Sequence, residues 1–115
     1  MDDQVIIAIL GLPGSGKTEA VKYLVEKYAL PKVYFGDFLF DEMKRRNLEV
    51  NEKNERSVRE ELREKRGLLC FAEEVVKKIK KLGEEKIIVV ESLYSWEEYL
   101  YFKKIFADRF ETIEV

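Results

Sequence analysis

The sequence predicts an α/β fold built on a parallel sheet, and three features carry that prediction. Two short apolar runs are uninterrupted, the stretches between them repeat apolar residues at helical spacing, and a glycine-rich turn joins the first run to the first helix. The runs are VIIAIL, residues 5–10, and IIVV, residues 87–90. Apolar on both faces, they suit central strands with helices packed above and below, which is how parallel sheets are covered. Strands alternating with helices then give a three-layer α/β/α sandwich whose strand C-termini share one ligand-facing rim.

The elements follow in order. Behind residues 5–10 comes the turn GLPGSGKT, and from Lys17 to Tyr28 the residues Ala20, Val21, Leu24, Val25 and Tyr28 recur at helical spacing, with Pro31 stopping the helix. KVYF, residues 32–35, reads as a short second strand closed by Gly36 and Asp37, after which Phe38 to Arg46 is helical. Ser57 with Glu60 has capping-box spacing and is expected to open a helical region that runs to about Leu82 with a break at Gly67. The third strand, residues 87–90, closes at Glu91. Ser95 with Glu98 repeats the capping-box signature and starts an aromatic helix whose Trp96, Tyr99, Tyr101, Phe102 and Phe106 are expected to pack in the core. The closing ETIEV alternates, as an edge strand does.

Composition narrows the function classes. At 115 residues the chain is expected to form one domain, residues 1–115. Its 21 basic and 23 acidic side chains leave a net charge of -2, so nucleic acid is not an expected partner. The single cysteine, Cys70 in LLCFA, allows no disulfide within the chain and reads as a buried structural thiol. Acids at the N-terminus, MDDQV, and no apolar run long enough for a bilayer point to a soluble, cytoplasmic protein without membrane association. With no histidine, proton and metal chemistry falls to carboxylates, lysine or water.

The turn GLPGSGKT carries the chemistry. Between a strand and a helix N-terminus, successive backbone N–H groups can point at one anion, aided by the positive end of the helix dipole. Gly11, Gly14 and Gly16 give the backbone its freedom, with Pro13 and Ser15 between them. Lys17 supplies a compact charge for β- and γ-phosphates, and the Thr18 hydroxyl a ligand for Mg²⁺. Glu19 follows in the first helical turn and counts with this run, although its carboxylate is expected to point away from the nucleotide. Glu91, at the end of a buried strand, has the setting of a carboxylate that binds Mg²⁺ through water or orients a nucleophile. Asp37 can hold an acceptor, act as a base toward it, help position the metal, or cap the next helix. Arg45 and Arg46, and the series Arg59, Arg63 and Arg66 on one helical face, are candidates for clamping an acceptor's phosphate or for surface ion pairing.

These residues resemble the P-loop nucleoside and nucleotide kinases, and most closely the archaeal adenylate-kinase-like and dephospho-CoA-kinase-related proteins. The segments that carry the resemblance are ILGLPGSGKT, FGDFLFDEMKRRNLE, LREKRG and IIVVESLYSWEEYLYFKKIF. It implies a parallel sheet ordered 2-3-1-4, MgATP held by Gly14, Ser15, Gly16, Lys17 and Thr18, and an acceptor-side acid at Asp37. Where relatives have Asp-Gly-x-Arg after the third strand, this chain has Glu91, Ser92, Leu93 and Tyr94, so tyrosine stands in place of an arginine. Kinases of this kind continue beyond a fourth strand into an arginine-bearing lid and an adenine loop, and a shortened version of that fold is therefore expected.

The leading functional expectation is a kinase in which Lys17, Thr18 and Mg²⁺ organise ATP, and Asp37 with Arg45, Arg59 or Arg63 faces a nucleotide or other phosphorylatable small molecule. The alternatives are a regulatory or degenerate nucleotide-binding module and a weak NTP hydrolase using Glu91. The exposed sheet edge leaves room for a homo-oligomer.

Overall fold

The computed structural model describes residues 3–12, 14–91, 93 and 95–115. Pro13, Ser92 and Tyr94, which the sequence singled out, lie outside the described residues. The elements run β1 (Val5–Leu10), α1 (Lys17–Tyr28), β2 (Lys32–Tyr34), α2 (Gly36–Arg45), α3 (Glu52–Arg66), α4 (Cys70–Lys81), β3 (Ile87–Glu91), α5 (Trp96–Phe106), a 3-10 turn at Ala107–Arg109 and β4 (Phe110–Glu114). All strands are parallel and ordered β2-β3-β1-β4, as the resemblance implies.

The period-two pleat of β1 divides its residues between two cores. Ile6 and Ala8 face the larger one, built with α2, α3, α4 and α5 and centred on Phe35, Met43, Ile79, Phe102 and Phe110. Ile9 faces the smaller one, where Val89 and Val21 meet under α1. Residues of β3 alternate in the same way, with Ile88 and Val90 on the large core and Val89 on the small one. Glu91, two residues after Val89, therefore lies on the face that α1 covers.

Several boundaries differ from the sequence expectation for identifiable reasons. Ser57 does not open a helix: α3 begins at Glu52, where Asn51 is the N-cap and its side chain accepts a hydrogen bond from the Asn54 N–H at 2.8 Å. The pair Ser57 and Glu60 lies inside that helix. The break at Gly67 is present, with φ at 98°, a conformation that favours glycine. Helix α2 starts at Gly36, earlier than Phe38, which places Asp37 in its first turn. The Ser95 cap forms as expected, its Oγ accepting from the Glu98 N–H. Of the aromatic residues in α5, Phe102 and Phe106 are buried, but Trp96 is 66% exposed and stacks on Tyr99 at 5.0 Å. Cys70 is fully buried and free. Among the described residues no helix is long and apolar enough to cross a membrane.

Candidate functional site

Strand β1 delivers the chain to the glycine-rich turn at the C-terminal rim of the sheet. The Ser15 N–H donates to the Leu12 carbonyl at 3.0 Å, and Gly14 and Gly16 take φ values of 83° and 92°. In that left-handed region a side chain would be strained, so glycine is what lets the turn close. Gly11 is needed for space instead, since a Cβ there would lie 2.5 Å from Ser15 Oγ. Helix α1 starts at Lys17 with Gly16 as an N-cap that offers no side-chain acceptor. No N-cap side chain competes there with an anion, which the positive end of the helix dipole favours.

The turn opens into a cavity of about 700 Å³ lined by Leu12, Gly14, Gly16, Lys17, Thr18, Glu19, Tyr34 and Glu91. Glu19, expected to point away, is among its lining. Ser15 Oγ is buried and has no hydrogen-bond partner among the described residues. An orphaned hydroxyl in a glycine-rich turn at a helix N-terminus fits a bound phosphate, whose oxygens can accept from it.

Glu91 reaches the same cavity from β3. It pairs in register with Ile9 of β1 and Tyr34 of β2, and is buried. Lys32 on β2 lies 3.4 Å from its carboxylate. Glu91 and Thr18 also line a second, smaller cavity beneath α1, so strand end and helix start converge on one point. Among the described residues no cluster of three metal-ligating side chains exists. One hydroxyl and one carboxylate suit Mg²⁺ nonetheless, because that ion draws most of its ligands from water and substrate phosphates.

A separate cavity of about 300 Å³ opens on the other side of Tyr34, lined by Tyr34, Phe35, Gly36, Leu39, Phe40, Glu55, Arg59, Arg63 and Phe71. Tyr34 lines both this cavity and the one at the turn. Its ring lies over Gly36, where a Cβ would fall 2.6 Å from Cζ and 2.8 Å from Oη. Arg59 and Arg63 are half-buried and make no carboxylate ion pair among the described residues, although Arg63 sits over the Phe71 ring at 5.2 Å. Their neighbours are engaged: Arg66 pairs with Glu74 at 2.9 Å, and Arg46 with Glu42 and Glu61. Two guanidinium groups without an ion pair, beside aromatic rings, are the chemistry that suits an anion, with Glu55 the one carboxylate in the lining.

Two residues expected on the acceptor side are elsewhere. Arg45 is 69% exposed near the end of α2 and forks onto Glu42 through Nε and Nη2, lining neither cavity. Asp37 is exposed and faces Lys78 at 3.9 Å, again lining neither cavity. Starting α2 two residues early turns Asp37 outward, a consequence of helical rather than extended geometry at Gly36. The carboxylate that does line the acceptor-side cavity is Glu55. Its sequence signal was the i, i+4 spacing to Arg59, which also fits a surface ion pair.

A family model described as AAA domain matches residues 10–115. A UPF0200/UPF0201 protein of Archaeoglobus fulgidus is 37% identical over 111 residues, 96% of this chain and 34% of that protein. UPF0200 proteins of Thermococcus onnurineus and Methanocaldococcus jannaschii are 34% and 37% identical, over 89% and 87% of this chain and 55% and 51% of theirs. The chain thus spans a third to just over half the length of these relatives. Among solved structures, a candidate kinase from Chloroflexus aurantiacus superposes with a TM-score of 0.59 at 17% identity, covering 99% of this chain and 59% of that one. Shikimate kinase from Bacteroides thetaiotaomicron gives 0.50 at 17% identity, over 96% and 56%. At that identity the likeness establishes the fold.

Proposed function

The chain belongs to the AAA domain family and shares the P-loop kinase-like fold, and on that premise we propose that it binds MgATP at residues 14–18 and transfers the γ-phosphoryl group to an anionic small molecule of nucleotide or nucleoside type. The observation that carries this reading is the adjacency of two unlike cavities. One is ringed by the glycine-rich turn, Lys17 and Thr18, the other by Arg59 and Arg63, and Tyr34 is a wall of both. A hydrolase needs only the first.

In this reading the turn's amides and Lys17 hold the phosphates of ATP. Thr18 and Glu91 would hold Mg²⁺, which would supply positive charge to offset that of the phosphates. Arg59 and Arg63 fix the acceptor by its anionic group, leaving its nucleophilic oxygen directed past Tyr34. Phosphoryl transfer depends chiefly on this positioning and on charge stabilisation, so a protein with little covalent chemistry of its own can catalyse it. Lys32, 3.4 Å from Glu91, holds that carboxylate in place.

Calorimetric titration with ATP, with and without Mg²⁺, followed by acceptor-dependent ADP formation, tests the proposal. Lys17→Ala should weaken ATP binding by about two orders of magnitude, the worth of one or two hydrogen bonds to a charged group. The double change Arg59→Ala with Arg63→Ala should spare ATP binding and raise the acceptor KM. ATP affinity that is unchanged in Lys17→Ala would refute the phosphate site. Unchanged acceptor KM in the arginine variant would refute the acceptor site.

A further inference from the structure

The acceptor-side cavity contains a feature that an anion site alone does not explain. Helix α3 carries three Glu residues with a basic residue four positions on: Glu52 with Arg56, Glu55 with Arg59, and Glu61 with Lys65. Two of these close to within ion-pair distance, at 3.9 Å and 2.8 Å. The third does not, and it is the pair that lines the cavity. Glu55 and Arg59 thus both line the cavity, each half-buried, without closing onto one another as an ion pair.

A carboxylate in a cavity that takes an anion lowers the affinity for that anion unless the ligand also brings a donor to meet it. As a first-turn acid Glu55 complements the α3 dipole, but Glu52 does so from an exposed position and without facing the pocket. The remaining walls, Phe40, Leu39 and Phe71 beside Tyr34, offer apolar contact for a ring. Anion, ring and donor are thus each provided for by different residues. The volume of about 300 Å³ is at the lower end of small-molecule sites and suits one ligand of that size.

We infer that Glu55 is a specificity-determining residue that accepts a hydrogen bond from an N–H donor on the acceptor's ring. The acceptor class is then an anionic molecule with an amino-bearing planar ring. This rests on the acceptor site proposed above. An ionised carboxylate is an acceptor only, so a ring with a carbonyl or bare C–H at that place leaves Glu55 desolvated and unpaired, and is rejected.

The test is equilibrium binding of two matched probe pairs, guanosine against inosine monophosphate and cytidine against uridine monophosphate, the second pair exchanging an amino group for a carbonyl. Wild-type protein should prefer the amino-bearing member of at least one pair by about tenfold or more, the worth of a hydrogen bond to a charged group. Glu55→Gln, which keeps the side chain's shape and helix propensity, should reduce that preference to about twofold or less. The double change at Arg59 and Arg63 should weaken both members equally. Equal wild-type affinity for both members of both pairs, or a preference that survives in Glu55→Gln, would overturn the inference while leaving the acceptor site intact. No binding of any of the four monophosphates by the wild-type chain would overturn the acceptor site and the inference together.

Discussion

Gly36→Ala is the smallest change that should separate the two cavities' functions. The alanine Cβ would lie 2.6 Å from Tyr34 Cζ and 2.8 Å from Oη, against an ordinary carbon contact near 3.4–4 Å. The ring must therefore retreat by roughly 1 Å, and it can, because it is half-buried rather than locked in the core. The backbone raises no objection: Gly36 is the first residue of α2 and its φ is not in the left-handed region. Alanine there favours the helix by up to about 1 kcal/mol, which offsets the displaced contacts. Net stability should stay within about 1 kcal/mol, and ATP affinity within about threefold. Transfer is another matter, since a misplacement of about 1 Å at a site that aligns two reactants can cost on the order of 100-fold. Thermal unfolding, ATP titration and acceptor-dependent ADP release measure the three quantities. If Gly36→Ala leaves turnover and acceptor affinity unchanged, Tyr34 does not set the alignment of the cavities. Adding Gly36→Ala to a Tyr34→Ser background should have almost no further effect, the non-additivity expected when one change acts through the other residue.

Further expectations follow from particular contacts. Asp37→Asn should change ATP binding and transfer by less than about threefold, because Asp37 faces Lys78 and lines neither cavity; a loss of turnover near 100-fold would restore it as an acceptor-side acid. Hydrogen bonds from Arg45 and then Arg46 hold the Glu42 carboxyl at about 2, and those from Arg46 and then Lys65 do the same for Glu61, against an ordinary 4.5. Both folded values are depressed, so the stabilisation is present above about pH 4.5 and is lost as pH falls toward 2. Urea unfolding at a series of pH values should show that loss, and Glu61→Gln should flatten it; an identical slope would discount the Arg46 link between α2 and α3. Burial pushes the Cys70 thiol up, so a thiol reagent at neutral pH should label it at the rate of opening, and rapid labelling of the native protein would contradict its packing. Phe102→Ala, in the ring cluster with Phe35, Phe106 and Phe110, should cost about 3–5 kcal/mol in chemical denaturation, and a loss below about 1 kcal/mol would show that the cluster repacks.

Much of this molecule was legible in its amino-acid order because the signals are local. VIIAIL and IIVV state their burial by being apolar on both faces, and GLPGSGKT states its turn through glycines that no other residue replaces at φ values of 83° and 92°. Capping is local too, which is why Ser95 was readable. Ser57 misled because serine followed three residues later by glutamate also occurs inside a helix, where the actual cap, Asn51, lies six residues earlier.

The second cavity was decided only by tertiary structure. Arg59, Arg63 and Arg66 share one helical face and the same charge in sequence, yet Glu74, eight residues beyond Arg66 and on another helix, pairs with Arg66 and leaves the other two without an ion pair among the described residues. Asp37 carries the expected chemistry but is turned outward by the early start of α2, and Arg45 is exposed and taken up by Glu42. Glu55 looks like half of a surface pair with Arg59, yet the two line one cavity without pairing. The phosphate site is made by one continuous stretch of backbone, so the sequence determined it. The proposed acceptor site is made by side chains from β2, α2, α3 and α4, whose orientation depends on how those elements pack, and periodicity along the chain carries no information about that.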